Sequence, residues 1–188
     1  DRDTKYIENA AYRFYGRETV IDMLQPAERA LPKGHKLLLI SIYRSLDQQT
    51  RMYQRQLKQL KADHPNWPHN ILRREANRWV HPPDVKTPPG HSTGGAVDLL
   101  IAGRNGEALS FSSPYSFDDE GAPVTAHTFS PHIDAAARKN RALLIRVMSG
   151  AGFTNYGGEF WHWSYGDSCW AWRQRRRVAI YGTAPPPA

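Results

Sequence analysis

The chain has 188 residues, which is enough for one domain with a substantial core. Because 40% of the residues are hydrophobic and six are Trp, the composition excludes an intrinsically disordered protein. No apolar run approaches the ~20 residues of a membrane-spanning helix, and the single Cys169 excludes an internal disulfide framework. We expect Cys169 to be a small half-buried residue and not a reactive thiol.

The net charge of +7 is compatible with a nucleic acid, an anionic surface or a polyanionic wall as partner. The densest basic run contains Arg173, Arg175, Arg176 and Arg177. No recognised nucleic-acid module accompanies this run, so we expect a solvated basic segment and no nucleic-acid partner. No signal peptide is visible at Asp1. The compartment stays open between cytoplasm and periplasm or secretion, because a processed chain would look the same.

The first half of the chain combines short extended segments with three helices. In chain order we predict extended segments at 6–7 and 12–15, a helix over 19–30, a strand over 36–43, and helices over 45–60 and 70–80. Met52, Leu57 and Leu60 recur at helical spacing, which indicates a core-facing side.

The second half is predicted to be richer in strands. In chain order we predict a strand over 96–101, a tight turn and a second strand beginning at 109–111, a long loop over 112–132, a helix over 133–151, and strands at 153–154, 161–163, 169–172 and 178–181. Strands and helices do not alternate regularly, so the fold class is α+β: a small, mainly antiparallel sheet with helices packed on one side. The predicted domain covers 1–182, followed by a disordered Pro/Ala tail over 183–188.

Three residues of the strand-rich half have side chains that suit a metal ion: His91, Asp98 and His162. Asp98 lies inside an apolar run, where a carboxylate needs a cation or strong hydrogen bonds. Two imidazoles and one carboxylate match a catalytic zinc site, which uses three protein ligands and leaves the fourth position to water. Glu159 lies close enough in sequence to His162 to act as a proton shuttle there. From these residues alone, a salt-bridged Asp98 and a packed His162 are an equally good interpretation.

Three segments resemble the signature blocks of a known family. They are 41–45 (Ser-Ile-Tyr-Arg-Ser), 90–99 around His91 and Asp98, and 152–167 around Glu159 and His162. Their order and composition are similar to those of the D-alanyl-D-alanine dipeptidases, within the wider group of zinc D,D-peptidases that also contains D,D-carboxypeptidases. The resemblance runs from about residue 20 to about residue 172, and it implies the zinc D,D-peptidase (Hedgehog-like) fold.

The resemblance implies a role for each matching residue. His91, Asp98 and His162 match the ligands of one zinc ion per chain, Glu159 matches the catalytic base, and Arg44 matches the arginine that steadies the substrate carbonyl in the transition state. A guanidinium suits that role because it is always charged and offers a rigid fork of donors. The implied reaction is hydrolysis of D-alanyl-D-alanine, a small D-amino-acid peptide, by a bacterial enzyme.

The chain departs from the family in the long loop. Where the dipeptidases carry a block close to Asp-Met-Gly-Thr-Pro-Phe-Asp, both acidic positions have become Ser, at Ser110 and Ser116. The second family Asp helps bind the free amino group of the dipeptide. We therefore expect the substrate contacts at Tyr115 and Ser116, with Asp118 or Asp119 supplying the missing charge if the loop is shifted. The departure bears on the dipeptide preference and not on the zinc chemistry.

Two alternatives remain at this point. The first is a zinc D,D-carboxypeptidase or endopeptidase that acts on longer peptidoglycan peptides, which the loss of the two acidic residues favours. The second is a non-catalytic zinc or wall-binding module whose working surface is the basic segment. Glu159 argues against the second, because a structural zinc site needs no base and closes its fourth position. Other divalent ions also accept this ligand set.

Overall fold

The computed structural model describes residues 4–8, 13–112 and 124–186. The helices and strands follow one another as β1 (Thr4–Glu8), β2 (Arg13–Arg17), α1 (Glu18–Arg29), β3 (Lys36–Ser41), α2 (Leu46–Asp63), α3 (His69–Ala76), β4 (Ala96–Ala102), α4 (Ala135–Gly150), β5 (Thr154–Asn155), β6 (His162–Ser164) and α5 (Ser168–Arg173). Single 3-10 turns lie at Gly90–Thr93 and Val124–Ala126. Among the described residues, no helix is long and apolar enough to cross a membrane.

The centre of the fold is an antiparallel sheet with the strand order β3-β4-β6-β5. All seven residues of β4 are buried, which explains why this strand is apolar at nearly every position. Its one charged residue, Asp98, is paired in register with Ser41 on β3 and with His162 on β6. Directly opposed residues of antiparallel strands have Cβ atoms about 5 Å apart, so the sheet itself brings Asp98 and His162 together.

Two helices cover the sheet and form the main core with it. Helix α1 contributes Val20 and Leu24, and α4 contributes Leu144 and Met148, which pack with the buried residues of β4 and β6. Helices α2 and α3 pack on each other around a second, smaller cluster that contains Tyr53. The predicted fold class is confirmed: the chain is a mixed helix and antiparallel-sheet fold. The extended segment predicted at 6–7 lies in β1 and residues 13–15 of the second lie in β2, and the two strands pair antiparallel, which was not predicted.

Three predicted strands are wrong: those at 169–172 and 178–181, and the one predicted to begin at 109–111. The segment 169–172 forms helix α5, because Asp167 accepts a hydrogen bond from the Trp170 N–H and caps the helix. The segment 178–181 makes no strand, since the Ile180 and Tyr181 N–H groups both donate to the Gly166 carbonyl.

The predicted hairpin after β4 is reduced to one bridge between Ala102 and Ala108. Beyond the bridge, the Leu109 N–H still donates to the Ile101 carbonyl, and the chain then leaves the sheet. Phe111 is buried in the core, where its ring stacks on that of Phe160 at 5.0 Å between centroids. The residues predicted to begin a second strand therefore leave the sheet, and Phe111 packs in the core instead.

One residue of the predicted tail packs beside the turn that carries His91. The Ala184 N–H donates to the Ser92 carbonyl at 2.8 Å, and the Tyr43 hydroxyl donates to the Ala184 carbonyl at 3.3 Å. Ala184 is buried. The segment after 182 thus contributes to the support of that turn.

Candidate metal centre

Three different elements deliver the three metal-binding side chains. Asp98 and His162 are neighbours on β4 and β6, and His91 lies in the 3-10 turn that leads into β4. The turn ends at Gly94, whose φ of +72° lies in the left-handed region that favours glycine. The His91 carbonyl accepts hydrogen bonds from the Gly94 and Arg44 N–H groups, which fixes the turn against the end of β3.

The donor atoms of these three side chains converge. The distance from His91 Nε2 to Asp98 Oδ2 is 3.1 Å, from His162 Nδ1 to Asp98 Oδ1 3.0 Å, and from His91 Nε2 to His162 Nδ1 3.2 Å. For bonds of 2.0–2.1 Å, two ligand atoms on a tetrahedral ion are about 3.3 Å apart. The observed separations are close to that value, so the three residues could hold a metal ion.

The protonation of His91 suits coordination. Its Nδ1 lies 2.7 Å from the Ile42 carbonyl oxygen, which can only accept. Nδ1 therefore carries the proton, and the Nε2 lone pair points into the cluster. A backbone carbonyl that orients a histidine in this way is typical of the surroundings of a metal ligand.

The three side chains of the cluster shift one another's pKa values. Burial alone would raise the pKa of Asp98, but the charges and hydrogen bonds of His91 and His162 hold that pKa well below its ordinary value. Burial lowers the pKa of His91. Burial also acts to lower the pKa of His162, but the hydrogen bond to Asp98 and the negative charges of Asp98, Glu159 and Asp167 together raise that pKa. Asp98 is thus ionised and His91 neutral at neutral pH, which are the states in which these groups bind metals.

Glu159 lies at the edge of the cluster, in the turn before β6. Its Oε2 is 4.0 Å from His162 Nδ1, and the side chain is almost fully buried. Burial raises the pKa of Glu159 to about 7, with Asp98 adding to the shift and His162 and Arg44 opposing it. A carboxyl group with a pKa near neutrality can both take and return a proton at the working pH.

Arg44 approaches the cluster from the end of β3. Its Nη2 lies 3.6 Å from Asp98 Oδ2, and its Nη1 donates to Gln49 Oε1 at 3.2 Å. Gln49 is only 2% exposed, and its own amide donates to the His81 carbonyl at 2.8 Å. Gln49 therefore orients the guanidinium. The role of Gln49 was not predicted, although this residue lies one helical turn before the buried Tyr53, on the same face of α2.

The predicted substrate contacts Tyr115, Ser116, Asp118 and Asp119 lie outside the described residues. Of the two departures from the family block, Ser110 is described. It is exposed, and its carbonyl accepts a hydrogen bond from the Asn140 amide at 2.8 Å. Cys169 is half-buried, and burial raises the pKa of its thiol, which favours the unreactive form.

The fold and the buried cluster together define a class. Two solved structures share the fold, each covering 94% of this chain at 16% sequence identity. The first is a variant of the vancomycin resistance D,D-pentapeptidase VanY from a VanB-type cassette in complex with Zn(II), with a TM-score of 0.51 over 86% of that chain. The second is VanYB in complex with D-alanine-D-alanine, with a TM-score of 0.53 over 85% of that chain. The architecture is therefore that of the D,D-peptidases.

A match to a family model assigns the chain to a protein family. The peptidase M15 family model, described as D-ala-D-ala dipeptidase, matches residues 4–179, and the chain belongs to this family.

Two curated bacterial relatives are both named D-alanyl-D-alanine dipeptidase. The one from Synechocystis sp. is 30% identical over 132 residues, which are 63% of this chain and 53% of the relative. The one from Escherichia coli K12 is 33% identical over 79 residues, which are 42% of this chain and 39% of the relative. The matched part thus spans about half of the curated relatives or less.

Proposed function

We propose that the chain is a zinc-dependent peptidase that hydrolyses D-alanyl-D-alanine to D-alanine. The observation that carries the proposal is the buried Glu159, with its raised pKa, beside a converging His91–Asp98–His162 donor set. His91, Asp98 and His162 would hold one zinc ion. When bound, the ion supplies Lewis-acid chemistry and activates a water molecule. Membership of the dipeptidase family supports the choice of substrate.

Glu159 performs the proton transfers of this reaction. Its carboxylate takes a proton from the attacking water and returns it to the leaving amine of the second D-alanine. Burial supports this exchange, because it raises the pKa of the Glu159 carboxyl above its ordinary value and so lowers the cost of holding a proton between the two transfers.

Arg44 stabilises the negative charge that develops on the substrate carbonyl oxygen. Its guanidinium is held in place by Gln49 and by a contact of Nη2 with Ser41 Oγ at 3.4 Å, so little reorganisation is needed during the reaction. Nη2 of Arg44 also lies 3.6 Å from Asp98 Oδ2, so the two side chains form an ion pair.

Arg44→Lys is expected to lower kcat for D-alanyl-D-alanine by roughly 10²-fold, because lysine keeps the charge but loses the rigid fork that Gln49 orients. Steady-state kinetics at equal bound zinc measure the effect. Arg73→Lys is the matched control, since Arg73 pairs with Asp84 on the surface of α3. Unchanged kcat in Arg44→Lys would contradict the assigned role.

A second candidate is a D,D-carboxypeptidase that acts on peptidoglycan peptides. Ser110 and Ser116, where the family carries acidic residues, favour it, because an N-acylated substrate has no free amino group to bind. The test compares kcat/KM for free D-alanyl-D-alanine, its N-acylated form and a pentapeptide ending in D-alanyl-D-alanine. We expect the free dipeptide to be preferred. Hydrolysis of the longer peptides alone would overturn the dipeptidase assignment in favour of the second candidate.

A further inference from the structure

A buried arginine of α4 lies behind the turn that carries Glu159. Arg141 is 2% exposed, on the helix face that also buries Ala137, Leu144 and Met148. Its guanidinium stacks on the ring of Phe160, with Cζ 3.9 Å from the ring centroid. Burial lowers the pKa of Arg141 to about 10, so the side chain is still charged at neutral pH. A buried charge of this kind is costly unless its N–H groups find acceptors.

Backbone carbonyls of two segments supply acceptors for Nη1 and Nη2, while Nε has no hydrogen-bond partner among the described residues. Nη1 donates to the His127 carbonyl at 2.7 Å, and Nη2 donates to the Thr125 carbonyl at 2.7 Å and to the Phe111 carbonyl. Arg141 thus ties residues 125–127 to α4 and to Phe111.

The segment held by Arg141 is also hydrogen-bonded, through its backbone, to the turn that carries Glu159. The Ala126 carbonyl accepts from the Phe160 N–H at 3.0 Å, and the Thr128 N–H donates to the Gly157 carbonyl at 3.1 Å. These two hydrogen bonds lie on either side of Glu159 in the sequence. The turn is therefore fixed at both ends to a segment that Arg141 anchors.

A side-chain relay adds a second connection. Thr128 Oγ1 donates to Asn155 Oδ1 at 2.6 Å, and Asn155 Nδ2 donates to the carbonyls of Glu159 at 3.1 Å and His162 at 3.0 Å. The backbone of the base and the backbone of a metal-binding residue are thereby held by the same amide.

We propose that Arg141 is a positioning residue for Glu159, acting through the segment 125–128; this rests on the proposed role of Glu159 as the base. Its hydrogen bonds end on the backbone carbonyls of the segment that binds the Glu159 turn and of Phe111, and its ring contact is with Phe160, the residue after Glu159. None of these contacts is with the three donor side chains or with Arg44. Loss of Arg141 should therefore move the base without releasing the metal. A displacement of about 1 Å at a catalytic group can cost about 10²-fold in rate.

The test uses Arg141→Met, with Leu144→Ala as the matched control for lost packing on the same face of α4. We expect kcat of Arg141→Met to fall ten- to hundredfold, with KM and bound zinc unchanged and partial recovery in Arg141→Lys. Leu144→Ala should lower the unfolding temperature while kcat stays within twofold. Equal losses of kcat in the two variants, at equal loss of stability, would overturn the proposal.

A second variant keeps the test decisive if Arg141→Met does not fold. Thr128→Val removes the hydrogen bonds of the Thr128 hydroxyl to Asn155 Oδ1 and, at 3.4 Å, to the Tyr156 carbonyl, and we expect a severalfold lower kcat at unchanged KM. Amide hydrogen exchange gives a readout without activity: the Phe160 and Thr128 N–H groups should exchange faster in Arg141→Lys than in the wild type. If these two amides exchange at the same rate in Arg141→Lys and in the wild type, the positioning role of Arg141 is overturned. If they exchange faster in Arg141→Lys but the wild type does not hydrolyse D-alanyl-D-alanine, only the proposed function is overturned.

Discussion

Glu159→Gln is expected to lower kcat for D-alanyl-D-alanine by roughly 10²–10⁴-fold, the usual contribution of a general base. Glutamine fills the same space but cannot accept the proton of the attacking water. Zinc should remain bound, because Glu159 lies outside the three-residue donor set and 4.0 Å from His162 Nδ1. Steady-state kinetics on protein of measured zinc content test both expectations.

The matched control for this variant is Glu75→Gln, which changes a half-buried glutamate of α3 that pairs with Arg78 and lies outside the donor set. We expect its kcat to equal that of the wild type. Near-normal turnover of Glu159→Gln with zinc bound would show that another group moves the proton, and it would remove the main support for the proposed mechanism.

Zinc is expected to stabilise the folded chain strongly. A ligand that binds only the folded state, at a free concentration of 1,000 times its Kd, adds about 4 kcal/mol to the free energy of unfolding. For a chain of this size each kcal/mol raises the unfolding temperature by about 2–4 °C, so we expect a rise of roughly 8–16 °C on addition of zinc to chelator-treated protein. Thermal unfolding followed by circular dichroism measures the shift.

Asp98→Asn should remove most of this shift, because the amide lacks the negative charge that attracts the cation between His91 and His162. Asp84→Asn serves as the control, since Asp84 is an exposed carboxylate that pairs with Arg73 and lies outside the three-residue donor set. If Asp98→Asn showed the full zinc-dependent shift, the ion would have to bind elsewhere in the chain.

The sheet and its polar residues were largely predictable from sequence. An acidic residue inside an apolar strand predicts a buried partner, and Asp98 indeed lies between two histidines. The pairing of Asp98 with His162 required the strand register, which is set by long-range contacts that no local pattern reveals. The resemblance to a known family supplied the connection between the segments before the register was known.

Helix α5 shows where local patterns fail. Alternating Trp residues at 170 and 172 favour a strand, in which both rings would lie on one face. In the helix Trp170 is buried against Tyr165, while Trp172 is 74% exposed. The decisive feature is the cap from the fully buried Asp167, a signal that was present in the sequence but weaker than the aromatic pattern.

The polar residues that support the site were missed for a different reason. Arg141 falls at the helical spacing of Ala137, Leu144 and Met148, on the buried face of α4. A charged residue on such a face can equally extend its head group to solvent. Only the carbonyls that converge on the guanidinium distinguish the two cases, and they come from segments distant in sequence.

The most direct test of the whole account is the release of D-alanine from D-alanyl-D-alanine by the zinc-loaded chain, measured before and after treatment with a chelator and again after zinc is restored. We predict release that the chelator abolishes and that one equivalent of zinc per chain recovers. No release from the dipeptide or from longer D-alanyl-D-alanine peptides by folded protein with zinc bound would contradict the assignment of this centre as a peptidase site.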